Sequence, residues 1–422
     1  MRKICILGLG KTGLSAIEFF NQDQLYIYDD NPQLLSYFLD HYKVKKFNYE
    51  EVDLLFVSPG VPNNKIKKHE VITWAENTGV KITSDIEVFQ KENQNAKFVG
   101  ITGTNGKSTT TALVGTILKR LNSLKVEVCG NIGVPILTRP KAELYVMELS
   151  SYQLDLLPEV KLDVAVCLNV TPDHLNCYID IYDYARSKGR IFTDTSVNII
   201  SADYEICERI APKNSIRFSR EKIVDGGISI VDSVLHVGDC KYNIPKHQSL
   251  LGKYNAENIA ATVAICVNLG VAIDDILQGI ESFKGLPHRM EVVHIDSGRN
   301  VTYINDSKAT NSASAKAAFD GMVGKKFIWI AGGLCKDDGI ESLREFFHLI
   351  EKAYLIGSSC NDFYNVLTKY GVAAEKSYTL EAALKSVREH RDTTILFSPA
   401  AASIDQWRNF EERGDFFRNN CS

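Results

Sequence analysis

The stretch Val99-Gly100-Ile101-Thr102-Gly103-Thr104-Asn105-Gly106-Lys107-Ser108-Thr109-Thr110 carries the residue types best suited to hold a phosphate. An apolar, strand-like run turns through two glycines into a segment that opens with Lys-Ser-Thr. Glycines let backbone N–H groups approach phosphate oxygens, a helix N-terminus adds the positive end of its dipole, and Lys107 can reach a terminal phosphate. Ser108 and Thr109 offer hydroxyls to Mg2+. The general loop G-x-x-x-x-G-K-[ST] would place its first glycine where this chain has Ile101, so the frame here is the shorter Gly103-x-x-Gly106-Lys107-Ser108. ATP is the ligand this chemistry expects.

Further along, Glu148 closes one apolar run and His174 follows another in Asn169-Val170-Thr171-Pro172-Asp173-His174, with Gly130-Asn131-Ile132-Gly133 between the phosphate loop and both. Strand C-termini of an open parallel sheet are where ligands bind, and glutamate and neutral imidazole both suit a divalent cation. Lys188 sits in Tyr184–Arg190, whose spacing alone gives a solvated basic helix face. Asn255 and Asn258 stand at a helix start, as caps or as amides able to read an adenine edge. Three later loops rich in Ser, Lys and Asn, 305–311, 331–337 and 397–407, suit a small anion. At the N-terminus Gly8-Leu9-Gly10-Lys11-Thr12-Gly13 follows a strand-like run, Asp29-Asp30 ends the next one, and Ser58-Pro59-Gly60 ends a third. This pattern leaves two ligands open, a nucleotide diphosphate and NAD.

These residues must be held by alternating strands and helices. Short β-rich runs separated by helical patterns predict an α/β fold with mainly parallel sheets. Three units are expected over the 422 residues: a Rossmann-like domain at 1–94, a central ATP-binding domain at 95–285 and a C-terminal α/β domain at 286–422. The polar stretch Lys91–Asn95 reads as the first linker. With 48 Lys plus Arg against 52 Asp plus Glu, the net charge of −4 gives no general reason to bind nucleic acid or an anionic membrane. The 10 cysteines form no C-x-x-C pair, and no export signal or spanning segment is visible, so a cytoplasmic protein with reduced thiols is expected.

With these motifs together the chain resembles the Mur ligases, the ATP-dependent amide-forming enzymes of peptidoglycan assembly. The resemblance covers nearly the whole chain and is strongest to the branch that adds D-glutamate. It rests on Gly103–Thr109, on Asp306-Ser307-Lys308-Ala309-Thr310-Asn311, and on Ser398–Ser403 with Asp405-Gln406 and Asn409–Gly414. It implies that Gly103, Thr104, Asn105, Gly106, Lys107, Ser108 and Thr109 hold ATP phosphates and a first Mg2+. A second Mg2+ would lie at Glu148, His174 and Lys188, the last a lysine carbamylated by CO2. Asn255, Asn258, Arg289 and Asp306 would serve the rest of ATP. Lys11, Thr12, Asp29, Asp30, Ser58, Gly60 and Asn131 would bind the uridine nucleotide, and Lys308, Thr310, Lys336, Ser403, Ile404 and Phe410 would bind D-glutamate.

The implied reaction phosphorylates the carboxylate of UDP-N-acetylmuramoyl-L-alanine and lets the amine of D-glutamate displace phosphate, in a cytoplasmic monomer whose third domain closes before chemistry. Tyr254, Asn176-Cys177 and Asn31 depart from the residues usual in the family. Other readings are another Mur ligase, a folylpolyglutamate synthase, a nicotinamide-dependent dehydrogenase built on Gly8–Gly13, and a non-enzymatic ATP switch; the dehydrogenase leaves Lys107 and its loop unexplained.

Overall fold

The computed structural model describes residues 1–421 other than 65, 158, 159, 246–249, 251, 252 and 336–338. The chain divides into two compact units, one of residues 1–244 with 257–280 and one of 245–256 with 281–422. Among the described residues no helix is long and apolar enough to cross a membrane.

The first unit holds two sheets. β1 (Lys3–Leu7), β2 (Gln24–Tyr28), β3 (Lys45–Lys46), β4 (Leu54–Val57) and β5 (Lys81–Thr83) form a parallel sheet in the order β3-β2-β1-β4-β5. Alternate residues of β1 serve different faces: Ile4 and Ile6 enter one apolar cluster, Cys5 and Leu7 the other. Burial on both faces is why the run reads as continuously apolar. The chain order reverses between β1 and β4, so the Gly8–Gly13 turn and the Ser58–Gly60 turn meet at the switch point, where such sheets bind ligands.

The second sheet has nine strands: β6 (Lys97–Thr102), β7 (Val126–Gly130), β8 (Leu144–Glu148), β9 (Lys161–Cys167), β10 (Asp194–Ser201), β11 (Ile216–Ser219), β12 (Ile228–Val231), β13 (Val234–Val237) and β14 (Cys240–Asn243). Their order is β14-β13-β12-β11-β10-β9-β6-β8-β7, parallel from β7 to β12 and antiparallel at β13 and β14. β6 lies between β8 and β9, so the segments that leave these three strands end side by side. The polar stretch Lys91–Asn95 is not a free linker. It closes the helix Asp85–Glu92, whose Ile86 and Phe89 enter the core of the nine-stranded sheet, and Asn93 accepts a hydrogen bond from the Tyr145 hydroxyl at 3.0 Å.

The second unit contains β15 (Glu291–Asp296), β16 (Val301–Asn305), β17 (Phe327–Gly332), β18 (Ile350–Ile356), β19 (Ala374–Tyr378) and β20 (Thr393–Phe397), in the order β15-β16-β20-β17-β18-β19. Only β15 runs antiparallel to its neighbour. It is an edge strand of partly exposed residues, which explains why its sequence lacks the apolar run of the others. Along β17, Phe327, Trp329 and Ala331 face one cluster and Ile328 and Ile330 the other. Trp329 is fully buried, stacks edge-on to Phe319 and donates from Nε1 to the Ser398 carbonyl at 2.8 Å, which ties the loop after β20 to the core. Replacing Trp329 by Phe removes buried volume and leaves that carbonyl unpaired. It should destabilise this unit by about 3 kcal/mol, read as a lower urea midpoint for its unfolding; an unchanged midpoint would show that the loop is held from elsewhere.

Candidate active site

The phosphate loop forms where β6 gives way to the helix Lys107–Leu121. Gly103 and Gly106 hold φ of 153° and 84°, a region that glycine occupies without strain. A Cβ on Gly106 would collide with Asn258 Oδ1, so glycine is required there on two grounds. The loop is braced from the end of β9. The Thr104 N–H donates to the Asn169 carbonyl and the Asn105 N–H to Asn169 Oδ1, both at 2.9 Å. The Thr171 N–H donates to Thr104 Oγ1 at 3.0 Å. Asn169 Nδ2 donates to the Asn105 carbonyl at 3.2 Å and to Glu257 Oε1 at 2.6 Å. Tyr204 and Arg220 approach the other oxygen of Glu257. Burial pushes the Glu257 carboxyl up to about 7, against the pull of Asn169, Arg220 and Tyr204.

Two lysines aim at one carbonyl. Lys107 Nζ donates to the Gly103 and Thr104 carbonyls at 2.9 Å each, and Lys188 Nζ donates to the same Gly103 carbonyl at 2.9 Å. Lys188 is 1% exposed, so it does not form the solvated face that its spacing suggested. The helix Ile181–Gly189 turns it inward, and its Nζ lies 4.4 Å from the centroid of the Tyr184 ring. Burial, with the Lys107 charge adding to it, brings its pKa down to about 7.

Glu148 ends β8, in register with Ile101 on one side and Gly130 on the other. Its Oε1 accepts from Asn131 Nδ2 at 3.0 Å, while Oε2 is buried without a hydrogen-bond partner. His174 has φ of 54°, and its ring centroid lies 5.2 Å from that of Tyr152 and 6.1 Å from that of Tyr184. It therefore meets the ring that Lys188 covers. Partial burial lowers the His174 pKa; Asp173 opposes this and the charges of Lys188 and Lys107 add to it. An orphaned carboxylate oxygen, a neutral imidazole and an amine of low basicity beside a phosphate loop fit a divalent cation. Among the described residues no three His, Cys, Asp or Glu side chains form a ready-made cage.

A cleft of about 480 Å3 runs along the same unit, within the usual size of a small-molecule site. Lys11, Thr12, Asp29, Asp30, Ser58, Gly60 and Asn131 all line it, together with His69, Asp85 and Gln153. Asp29 braces the glycine turn by accepting the Leu9 N–H at 2.7 Å, and Ser58 Oγ donates to the Gly8 carbonyl at 2.8 Å. His69 Nε2 lies 3.1 Å from Asp30 Oδ1. Asn131 belongs to the cleft wall and also bonds Glu148, so the cleft reaches the proposed cation site.

Asn258 is buried, and its Oδ1 accepts from Thr110 Oγ1 at 3.3 Å, behind the phosphate loop. Asn255 lies inside the helix Lys253–Asn268, two residues past its first described residue.

In the second unit the loops after β16, β17 and β20 are stitched together. Leu334 and Ala402 exchange backbone hydrogen bonds at 2.8 and 2.9 Å. Arg413, 1% exposed, donates to the Ser307 hydroxyl and carbonyl and to the Ala401 carbonyl. Asp306 is buried and accepts from Ser398 Oγ at 2.7 Å and from the Met290 N–H at 3.2 Å. Burial pushes its carboxyl up to about 7, with those two donors and the Arg289 charge opposing. Lys308 Nζ lies 5.1 Å from the centroid of the Phe410 ring, and the Thr310 N–H donates to the Lys308 carbonyl. Ser403 is buried and Ile404 is 60% exposed; Lys336 lies outside the described residues.

Sequence reasoning gave no role to Asn169, Glu257, His69, Asp85 or Gln153. Asn169 and Glu257 stand beside quoted motifs, but their pairing joins residues 88 positions apart. Asp85 and His69 carry no motif at all.

The model of the Mur ligase middle domain matches residues 101–266. The UDP-N-acetylmuramoylalanine–D-glutamate ligase of Rickettsia prowazekii (strain Madrid E) is 40% identical over 441 residues, covering 99% of this chain and 97% of that one. The ligase of the same name from Wolbachia pipientis wMel is 35% identical, covering 99% and 95%. A UDP-N-acetylmuramate–alanine ligase of known structure from Thermotoga maritima shares the fold with a TM-score of 0.64 at 18% identity, each chain covered to 99%. The chain belongs to the Mur ligase family. Within it, the full-length relatives set it among the UDP-N-acetylmuramoylalanine–D-glutamate ligases.

The Glu257 contact makes a testable demand on stability. A carboxyl at about 7 in the fold and near 4.5 when unfolded holds its proton more tightly in the native state, so its contribution falls as pH rises between those values. Against Glu257→Gln, the wild type should lose up to about 3 kcal/mol between pH 4.5 and 7 and show no further divergence above. Parallel stability curves across that range would remove Glu257 as the titrating group.

Proposed function

We propose that this chain joins D-glutamate to UDP-N-acetylmuramoyl-L-alanine at the expense of ATP, releasing ADP and phosphate, in the assembly of peptidoglycan precursors. The observation that carries this reading is Asn131, which lines the nucleotide cleft and donates to Glu148 beside the phosphate loop. A substrate held by its UDP at Gly8–Thr12 can therefore bring its distal carboxylate to the triphosphate end.

The chemistry follows from the poor electrophilicity of a carboxylate. A carboxylate oxygen attacks the γ-phosphorus of ATP and ADP leaves, giving an acyl phosphate. The amine of D-glutamate, having lost its proton, attacks the acyl carbon, and the tetrahedral adduct expels phosphate. Lys107 leaves the Gly103 and Thr104 carbonyls to neutralise charge on the transferring phosphoryl group, while the loop and the helix start orient the phosphates. Ser108 and Thr109 hold one Mg2+, and Glu148, His174 and Lys188 a second; these ions supply charge neutralisation at the phosphates.

A lysine whose pKa is about 7 is largely an uncharged amine under mildly alkaline conditions and so a nucleophile for CO2. Its carbamate would replace a buried cation by an anionic ligand and free the Gly103 carbonyl from one of two competing ammonium groups. Asn255, Asn258, Arg289 and Asp306 serve the remainder of ATP in this reading, and Lys308, Thr310, Lys336, Ser403, Ile404 and Phe410 serve D-glutamate. The division into domains at 1–94, 95–285 and 286–422 and action as a cytoplasmic monomer belong to the same proposal. Exclusion of water is needed because an acyl phosphate hydrolyses.

Two measurements test this. ADP release should require both UDP-N-acetylmuramoyl-L-alanine and D-glutamate, and L-alanine, L-lysine or meso-diaminopimelate should not replace the latter; a preference for any of these would reassign the acceptor. Lys188→Ala should lose most of its turnover, on the order of 100-fold or more, and recover part of it with short carboxylic acids. Full activity in that variant would refute the carbamate role.

A further inference from the structure

The nucleotide cleft contains an acidic group that the mechanism leaves unused. Asp85 opens the helix Asp85–Glu92, is 4% exposed, and lines the cleft beside Gly130, Asn131 and Gln153. Its Oδ1 accepts the Ile86 N–H at 3.0 Å, and among the described residues no cation or side-chain donor pairs with its other oxygen. Burial pushes the carboxyl up to about 6, the N–H groups of Ile86 and of Asp85 itself opposing. A buried carboxyl without a counter-charge costs stability, and in a cleft for a diphosphate it adds repulsion. Starting the helix does not require a carboxylate here, because the N-cap is Ser84 and a neutral acceptor at 85 would serve the Ile86 N–H.

The position along the cleft narrows what Asp85 can meet. Ile86 packs in the same apolar cluster as Cys129, and the Cys129 thiol, one residue before Gly130, feels the Asp85 charge. Asp85 therefore shares the stretch of wall formed by Gly130 and Asn131, which leads to Glu148.

We propose that Asp85 is a substrate-binding residue whose second carboxylate oxygen accepts a hydrogen bond from a hydroxyl or amide N–H on the sugar–peptide portion of the UDP-linked substrate. This assignment rests on the function proposed above and adds a determinant of which UDP-linked molecules are accepted. A UDP conjugate with no donor at that point would leave the carboxylate buried and unsatisfied, which is a strong basis for discrimination.

Calorimetric titration of the whole protein with UDP-N-acetylmuramoyl-L-alanine and with UDP tests it. Asp85→Asn keeps an acceptor for Ile86 but turns an N–H donor toward the ligand's own donor; Asp85→Ser keeps the acceptor and empties the second position. Both should bind the full substrate at least about ten-fold more weakly, bind UDP as the wild type does, and melt no earlier than the wild type. Unchanged affinity for the full substrate, or an equal loss for UDP, overturns the assignment. Should one variant unfold, the other carries the comparison. A wild type that binds UDP but not UDP-N-acetylmuramoyl-L-alanine overturns the proposed function itself, a result that the wild-type titration alone distinguishes.

Discussion

Two ammonium groups share the carbonyl of Gly103. Like charges held this close are tolerated only where one loses its proton or an anion arrives, and the site is shaped by both options. Lys188 is buried deeply enough to lose its proton near neutrality. Lys107 lies at the mouth of a helix whose N-terminus attracts anions. The loop conformation that creates this shared carbonyl depends on glycine at 103 and 106 and on the Asn169 brace. The surrounding sheet, with β6 between β8 and β9, exists in functional terms to hold that one turn in place.

The same logic of switch points recurs at β1 and β4, where the glycine turn and the Ser58 turn meet. The two sheets of the first unit therefore present comparable ends to a single cleft, and Asn131 is the side chain that joins the cleft wall to the carboxylate of Glu148.

Much of this was legible in the chain. Continuous apolar runs ending in Gly, Ser or Asn gave the parallel strands, and the glycine spacing gave the phosphate loop, because both depend on neighbours in sequence. What escaped depends on distant partners. Lys188 looked like part of a solvated face, since its spacing cannot show that Tyr184 and the Gly103 carbonyl lie above it. Glu257 passes for an ordinary helical acid until Asn169 and Arg220 close over it. Asp85 stands in no motif, and only the fold brings it beside Gly130, Asn131 and Gln153 in the cleft wall. β15 went unseen because an edge strand need not be apolar.

Arg413 fastens Ser307 and Ala401 to the same guanidinium, and Leu334 is laced to Ala402. The three loops of the second unit thus behave as one mechanical part. A substitution in one of them shifts the others, so the effects of paired substitutions there will be epistatic, and redesign has to treat the trio as a single variable.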